Sequence, residues 1–217
     1  MLGLLYKDQA TIWSSYRKNF LLVVLLYTVM AFTMDMKFML FALLFIGGLY
    51  TTSALVFDEQ SHWDTYARTL PVSGRQIVGA KYLLALLWMA ASFVLSYVLL
   101  TLCDLFKGQV AENLLYNMTG CLITLGLVMA YYALGYVLSY KIGAVRAQSG
   151  VILAIALIIA IALVGSNALE NTSFFSFPLL DETTLLVLIA GGSLAVGLVL
   201  FILSWVVSTA IYTKKEF

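Results

Sequence analysis

The residues that could do chemistry are few and scattered along the chain. Asp58, Glu59 and His62 lie close together and combine two carboxylates with the single imidazole of the sequence, a set that can move protons in an active site. Cys103 and Cys121 fit no zinc-ligand spacing, and one histidine cannot build a multi-histidine metal centre. A G-x-x-x-x-G-K-[ST] phosphate loop is absent from the sequence. We therefore interpret Asp58-Glu59 as the solvated start of a connection, with no catalytic role and no cofactor on this chain.

The composition indicates that the chain carrying these residues is an integral membrane protein. Hydrophobic residues make up 63% of the chain and charged residues 11%, and each helical crossing takes about 20 apolar residues. No ionisable residue lies well inside an apolar run, which disfavours ion-coupled transporters and intramembrane proteases. The fold class predicted is all-α with six transmembrane helices, at Phe20–Met34, Phe38–Phe57, Ile77–Leu102, Leu114–Tyr140, Val151–Val164 and Leu185–Tyr212.

The basic residues predict the orientation of these spans. Ten of the 12 Lys and Arg residues fall on one side, and the positive-inside rule makes that side, with both termini, cytoplasmic. The net charge of +1 gives no indication of nucleic acid. The cytoplasmic set is Lys7, Arg17, Lys18, Arg68, Arg75, Lys81, Lys141, Arg146, Lys214 and Lys215, against Lys37 and Lys107 outside.

The first 18 residues predict an amphipathic helix at the membrane interface. Polar residues, Lys7 and Asp8 among them, fill one side of a helical wheel. The opposite arc suits the headgroup layer through Trp13 and Tyr16. Its apolar members are Leu2, Leu5, Tyr6, Ile12, Trp13, Tyr16 and Phe20.

The connection over 58–76 predicts a docking device. Ser61 and Asp64 match a capping box, so a helix is expected over Ser61–Leu70, with Trp63, Tyr66, Ala67 and Leu70 on one face. Ser73 and Gln76 form a second capping box that starts the third span. A plain turn needs only a few residues, so the extra helix is expected to contact headgroups or, given its acidic residues, a protein partner.

Small residues at four-residue spacing predict close helix contacts in lipid. Packing within the chain is favoured over packing against a second copy. The positions are Gly135, Ser139 and Gly143, then Ala156 and Ala160, then Ser193 and Gly197.

With these elements in place, the chain resembles the small single-domain permeases of the ABC-2 superfamily, including bacteriocin and phenol-soluble-modulin exporter permeases. The resemblance spans residues 1–217 as one transmembrane domain. It rests on the order of short motifs: Lys7-Asp8, Asp58-Glu59 closing span two, Trp63 and Tyr66, Thr69-Leu70-Pro71-Val72-Ser73, Ile77-Val78 and Lys81-Tyr82.

The resemblance implies a bacterial inner-membrane permease that works with a separate ABC ATPase, which carries the Mg-ATP, and with a second, identical or related, permease chain. The helix Ser61–Leu70 would be the coupling helix seated on the ATPase. The ATPase-contact residues implied are Asp58, Glu59, Trp63, Tyr66 and Arg68. The short connection Gly165–Thr184 departs from members with re-entrant outer helices.

A permease of this kind needs a path for its cargo. An uncharged path would suit hydrophobic or amphipathic cargo, with peptides favoured, because aromatic and methionine side chains re-pack around varied shapes. Each candidate taken singly is better explained by contact with lipid or neighbouring helices. The candidates are Tyr27, Met30, Met34, Tyr50, Trp88 and Tyr97.

Two other functions stay open at this point. A substrate-binding membrane subunit of a vitamin uptake system has a similar size and a separate motor. A non-transporting peptide-immunity protein would keep the helix bundle and have no ATPase for its coupling segment to meet. Cys103 and Cys121 are expected near the outer ends of their spans, where they could form a disulfide or remain thiols.

Overall fold

A computed structural model describes residues 2–34, 37–67, 69–150 and 181–214. Within these ranges the regular structure is helical throughout, which confirms the all-α class. Residues 144–150 are helical as well. The helices whose two ends both lie within the described residues are α1 (Leu2–Thr33), α2 (Phe38–Gln60), α3 (Trp63–Ala67), α4 (Gly74–Lys107), α5 (Val110–Ile142) and α6 (Glu182–Lys214).

Four helices of the described chain are long and apolar enough to cross a bilayer: α2, α4, Asn113–Ile142 of α5 and Thr183–Lys214 of α6. They contain the predicted spans two, three, four and six. Predicted span one, Phe20–Met34, falls on α1 and stays a prediction. Predicted span five, Val151–Val164, lies outside the described residues. The chain is therefore a multi-pass membrane protein, and the count of six spans and the cytoplasmic termini remain predictions.

The N-terminal helix α1 is continuous over 32 residues, with no break between the expected interface helix (1–18) and the expected span. Asp8, which the helical wheel places on the polar side of the interface helix, is only 2% exposed. Ile12 is fully buried one turn later, so this side of α1 packs on the bundle, where it contacts α2 and α4. A helical wheel treats every acidic residue as solvent-exposed. An acidic side chain can nevertheless be buried when a basic residue compensates its charge.

The connecting helix α3 is shorter than the predicted Ser61–Leu70 and has five residues, Trp63–Ala67. The capping box expected at Ser61 is wrong. Ser61 instead ends α2, and its backbone N–H donates to the Phe57 carbonyl oxygen at 3.0 Å. His62 then adopts a positive φ of 52°, the left-handed conformation in which helices commonly end.

The capping box at the start of α4 is confirmed. Ser73 Oγ accepts from the Gln76 N–H, and the Gln76 side chain accepts from the Ser73 N–H. Two backbone donors that would otherwise lack partners are satisfied by this reciprocal pair. The box fixes where the chain turns from the α3 connection into the long helix α4.

Close packing of α5 on α6 depends on small residues. A Cβ atom placed on Gly126 would collide with the Ser193 carbonyl, and one on Gly197 would lie 2.5 Å from the Gly126 carbonyl oxygen. The two backbones approach at a distance that only glycine permits, as expected for helices associating in lipid. Packing within the chain is thereby confirmed for Ser193 and Gly197.

A chain of hydroxyl groups holds α4 against the α5–α6 pair. Ser204 Oγ donates to the Ala133 carbonyl oxygen at 2.6 Å. Because a hydroxyl has one proton, the Tyr82 hydroxyl must donate to Ser204 Oγ at 2.6 Å and accept from Ser208 Oγ at 2.8 Å. These buried polar groups are satisfied by one another and fix the register of three helices.

Candidate coupling site

The acidic residue near the end of α2 meets basic residues from two other helices. Lys7 Nζ of α1 donates to Asp58 Oδ1 at 2.7 Å, and Lys81 Nζ of α4 lies 2.5 Å from Asp58 Oδ2. The Asp58 side chain is 12% exposed. Interpreting Asp58 as the solvated start of a connection was therefore wrong, because its carboxylate is buried between two cations.

A second carboxylate closes these contacts into a ring of four charges. Asp8 Oδ1 lies 3.0 Å from Lys7 Nζ and accepts from Lys81 Nζ at 2.8 Å. Two lysines and two aspartates thus alternate, and the side chains of Lys81 and Asp8 are only 4% and 3% exposed. We call Lys7, Asp8, Asp58 and Lys81 the ion ring. Buried charges are tolerated when they are paired in this way, so the ring ties α1, α2 and α4 together at one level.

The ion ring also holds α3. Lys7 Nζ lies 4.0 Å from the centroid of the Trp63 ring, an attractive cation–π geometry. Trp63 packs beside Tyr66, with 5.2 Å between ring centroids. On the other side of α3, the Tyr212 hydroxyl of α6 donates to Asp64 Oδ1 at 3.3 Å. The five-residue helix is therefore attached to both α1 and α6.

Glu59 binds the segment that follows α5. Its carboxylate accepts hydrogen bonds from the backbone N–H groups of Ala144 and, at 3.1 Å, of Val145. These are the first N–H groups of the helical residues 144–150, and a carboxylate there satisfies unpaired donors and complements the helix dipole. Gly143 ends α5 with a φ of +96°, and a Cβ atom there would lie 2.7 Å from Glu59 Oε1. The positive φ favours glycine at this position, and a larger residue would also displace the Glu59 carboxylate.

A cavity of about 220 Å³ opens between these elements. The carboxylates of Asp58, Glu59 and Asp64 line it together with Lys81. Among the described residues no group of three or more His, Cys, Asp and Glu could hold a metal ion. The arrangement is suited to holding helices together and to receiving a basic side chain from outside.

The five predicted contact residues have different surroundings. Asp58 lies in the ion ring, Glu59 caps residues 144–150, and Trp63 is half-buried. Tyr66 is 56% exposed and presents its ring outward. Arg68 lies outside the described residues.

Sequence reasoning missed the partners of these acids, although it placed Lys7, Asp8 and Lys81 on the same cytoplasmic side as Asp58. Lys7 and Asp58 are 51 positions apart, and Lys81 and Asp8 are 73. The two lysines and the two aspartates were predicted to lie at a similar depth at the membrane edge. That shared depth, with equal numbers of acidic and basic residues, was the signal that could have suggested their pairing.

Two of the predicted path residues belong to one aromatic cluster. The rings of Tyr50 and Trp88 lie 6.0 Å apart, and Phe20 packs against both at 5.9 and 5.7 Å. Gln9 Oε1 accepts the Trp88 indole N–H at 2.8 Å. A cavity of about 400 Å³ adjoins this cluster between α1 and α4, lined by Gln9, Trp13, Phe20, Leu87, Trp88, Ala91, Ser92 and Leu95.

The other four predicted path residues lie elsewhere. Tyr27 and Tyr97 pack on a separate apolar cluster, Met30 is half-buried, and Met34 is 60% exposed. The six candidates therefore do not surround one common space within this chain.

A second charge cluster lies at the opposite end of the bundle. Lys37 Nζ donates to Asp104 Oδ1 at 2.6 Å, and Asn117 Nδ2 donates to Asp104 Oδ2 at 2.5 Å. Along α4, Asp104 follows Lys81 by 23 positions (104 − 81), or about 35 Å at the rise of an α-helix. That length is close to the hydrocarbon thickness of about 30 Å. The ion ring and the Asp104 cluster are therefore separated by a distance close to the thickness of the hydrocarbon core of a bilayer.

The cysteines lie near the Asp104 cluster. Cys103 and Cys121 are both buried in the same apolar cluster, and no disulfide joins them.

Comparison with known proteins identifies the family. The model for ABC-2 family transporter proteins matches residues 3–213, nearly the whole chain. No significant match was found among curated proteins or among solved structures. The match covers all but the end residues of the described helices, and it includes the whole ion ring. The chain therefore belongs to the ABC-2 transporter family, as a membrane permease subunit that associates with an ABC ATPase.

Proposed function

We propose that this protein is the permease subunit of an ATP-driven exporter that moves hydrophobic or amphipathic cargo out of a bacterial cell. Peptides are the favoured cargo. The ATPase is a separate chain that binds Mg-ATP. A second permease chain, identical or related, completes the translocation unit in the inner membrane, with both termini cytoplasmic. Family membership supports transport, and the outward direction rests on the resemblance to small exporter permeases.

The observation that carries the coupling role is the attachment of α3 to the bundle. Trp63 lies under Lys7 of the ion ring, and Asp64 is held by Tyr212. A force applied to α3 is therefore passed to α1, α2, α4 and α6 through short polar contacts. Such contacts transmit displacement because packed helices move as rigid elements.

The same region supports docking of an ATPase. Tyr66 projects from α3 with 56% of its surface exposed, and aromatic residues of this kind often carry most of an interface's binding energy. Beside it, the carboxylates of Glu59 and Asp64 line the 220 Å³ cavity. We infer that the ATPase offers an apolar pocket for Tyr66 and a basic side chain for this cavity.

The cargo class is supported by the space between α1 and α4. Phe20 and Trp88 form an aromatic wall of this space. Gln9 and Ser92 are among its few polar lining residues. Ser92 Oγ is buried and has no hydrogen-bond partner. A mainly apolar surface with isolated polar atoms is suited to amphipathic molecules.

The test compares two exposed tyrosines at opposite ends of the bundle. We expect Tyr66→Ala to weaken association with the ATPase by about thirtyfold, the loss typical of an aromatic hot spot. Tyr116→Ala, which removes a ring that is 47% exposed near the start of α5, should leave association unchanged. Binding is measured between the purified permease in nanodiscs and the ATPase that co-purifies with it.

Wild-type affinity in the Tyr66→Ala variant would contradict the coupling role of α3. Absence of any co-purifying ATPase would favour the peptide-immunity function, and tight retention of a vitamin would favour uptake. Trp63→Ala and Glu59→Ala are less informative, because Trp63 packs on the core and Glu59 caps residues 144–150. Both changes would disturb the permease itself as well as its interface.

A further inference from the structure

A groove beside the start of α4 and the end of α6 is not explained by the coupling role. It has a volume of about 490 Å³ and is formed by Arg75 and by α6 residues between Trp205 and Lys214. It lies at the same end of the bundle as α3, because Tyr212, beside its lining residue Thr213, donates to Asp64 of α3.

The charge of this groove is positive. Arg75 and Lys214 are its two ionisable lining residues. Neither forms an ion pair with another described residue. Two cations that line one groove, with no carboxylate among its described lining residues, can bind an anion through charge-assisted hydrogen bonds.

The other end of the groove is apolar and exposed. Trp205 and Val206 are 40% and 56% exposed. Lys214 follows Trp205 by nine positions (214 − 205), which is about 13 Å along a helix. Thr209 and Thr213 lie between them, but their hydroxyls already donate to backbone carbonyls of α6. The cations therefore lie at one end of the groove and hydrocarbon-compatible side chains at the other.

The depth of the groove matches the edge of the bilayer. Arg75 precedes Lys81 of the ion ring by six positions (81 − 75), about 9 Å on the side away from Asp104. If the ion ring marks the hydrocarbon edge, the Arg75 backbone lies just beyond the headgroup layer, which occupies roughly 5–7 Å on each side, and its long side chain can reach back into that layer. Trp205 then lies near the hydrocarbon boundary, where tryptophan is favoured.

We propose that this groove binds an anionic phospholipid from the leaflet at the α3 end. Its phosphate lies between Arg75 and Lys214, and one acyl chain runs along Trp205 and Val206. A soluble anion would use the cations alone, whereas the exposed apolar end favours a ligand with a hydrocarbon tail. The proposal is independent of the cargo and of the direction of transport.

Quenching of Trp205 fluorescence by brominated lipid tests this site. The permease is placed in vesicles of one fixed mixture of phosphatidylglycerol and phosphatidylcholine, with bromine on one lipid or the other. The difference between wild type and Trp205→Phe isolates the signal of Trp205. Each basic residue near an anionic surface contributes about 1 kcal/mol, or about fivefold, so we expect phosphatidylglycerol to be preferred at Trp205 by up to about thirtyfold.

Charge variants show whether the two cations cause the preference. Arg75→Gln/Lys214→Gln should abolish it, and Arg75→Lys/Lys214→Arg should keep most of it. Lys141→Gln/Arg146→Gln removes the same charge from exposed positions away from the groove and should leave the preference intact.

Three outcomes would overturn the proposal. Equal quenching by both brominated lipids would show that no anionic lipid is selected. An equal loss in the Lys141/Arg146 control would assign the effect to the overall field of the cytoplasmic face. Weakened ATPase binding with unchanged lipid preference, in the Arg75/Lys214 variant, would assign the groove to the protein partner instead.

Discussion

Removing one charge from the ion ring should cost far more than removing a matched pair. Lys81→Met leaves Asp8 and Asp58 sharing Lys7, with one buried negative charge uncompensated. Because the side chains of Lys81 and Asp8 are only 4% and 3% exposed, the cost should be about 3–5 kcal/mol of unfolding free energy. Asp8→Asn should cost a similar amount, since it leaves an excess cation in the same place.

The double variant Asp8→Asn/Lys81→Met keeps a balanced pair, Lys7 with Asp58 at 2.7 Å. It also removes the desolvation cost of two buried charges, so we expect a loss of about 1–2 kcal/mol in place of the sum of the two single losses. Unfolding is followed by SDS titration of the purified protein in mixed micelles. Asp181→Asn, an exposed acid before α6, should change stability by less than about 0.5 kcal/mol. Additive single costs, or single costs below about 1 kcal/mol, would refute the assignment of a buried, coupled ring.

Two further changes test the packing around the site. Gly126→Ala should destabilise the bundle by about 1–3 kcal/mol, because the new Cβ atom collides with the Ser193 carbonyl. The control is Gly191→Ala, where the Cβ atom meets nothing within 4 Å. It should be neutral or slightly stabilising in the same SDS titration. Glu59→Ala should weaken the helix that begins at Ala144 by about 1–2 kcal/mol, since two backbone N–H groups lose their acceptor. Hydrogen exchange over residues 144–150 measures that loss, and unchanged protection there would rule out the capping role.

Features that depend on local sequence were predicted well. The apolar runs located α2, α4, α5 and α6, and the capping box at Ser73 and Gln76 located the start of α4. The same motif at Ser61 failed. Ser61 still continues α2, and both its backbone N–H and its hydroxyl donate to the Phe57 carbonyl oxygen, so its side chain was not available to begin a new helix. A capping motif specifies a helix start only where the preceding helix has already ended.

The coupling role of Asp58, Glu59, Trp63 and Tyr66 stays a prediction, which rests on the length of their segment and on its mixture of acidic and aromatic residues. The division of these residues into an inward and an outward group was not evident from the sequence. Asp58 and Glu59 point at groups contributed by other helices, and Tyr66 remains exposed.

The sequence by itself determined the membrane class, the approximate position of four crossing helices and the resemblance to ABC-2 permeases, because hydropathy, basic residues and short motifs act locally along the chain. The tertiary structure alone decided that Lys7, Asp8, Asp58 and Lys81 pair with one another and that Gly126 meets Ser193. These contacts join residues far apart in sequence. Their energy depends on burial and on the distance between charges, and neither quantity exists until the helices have packed.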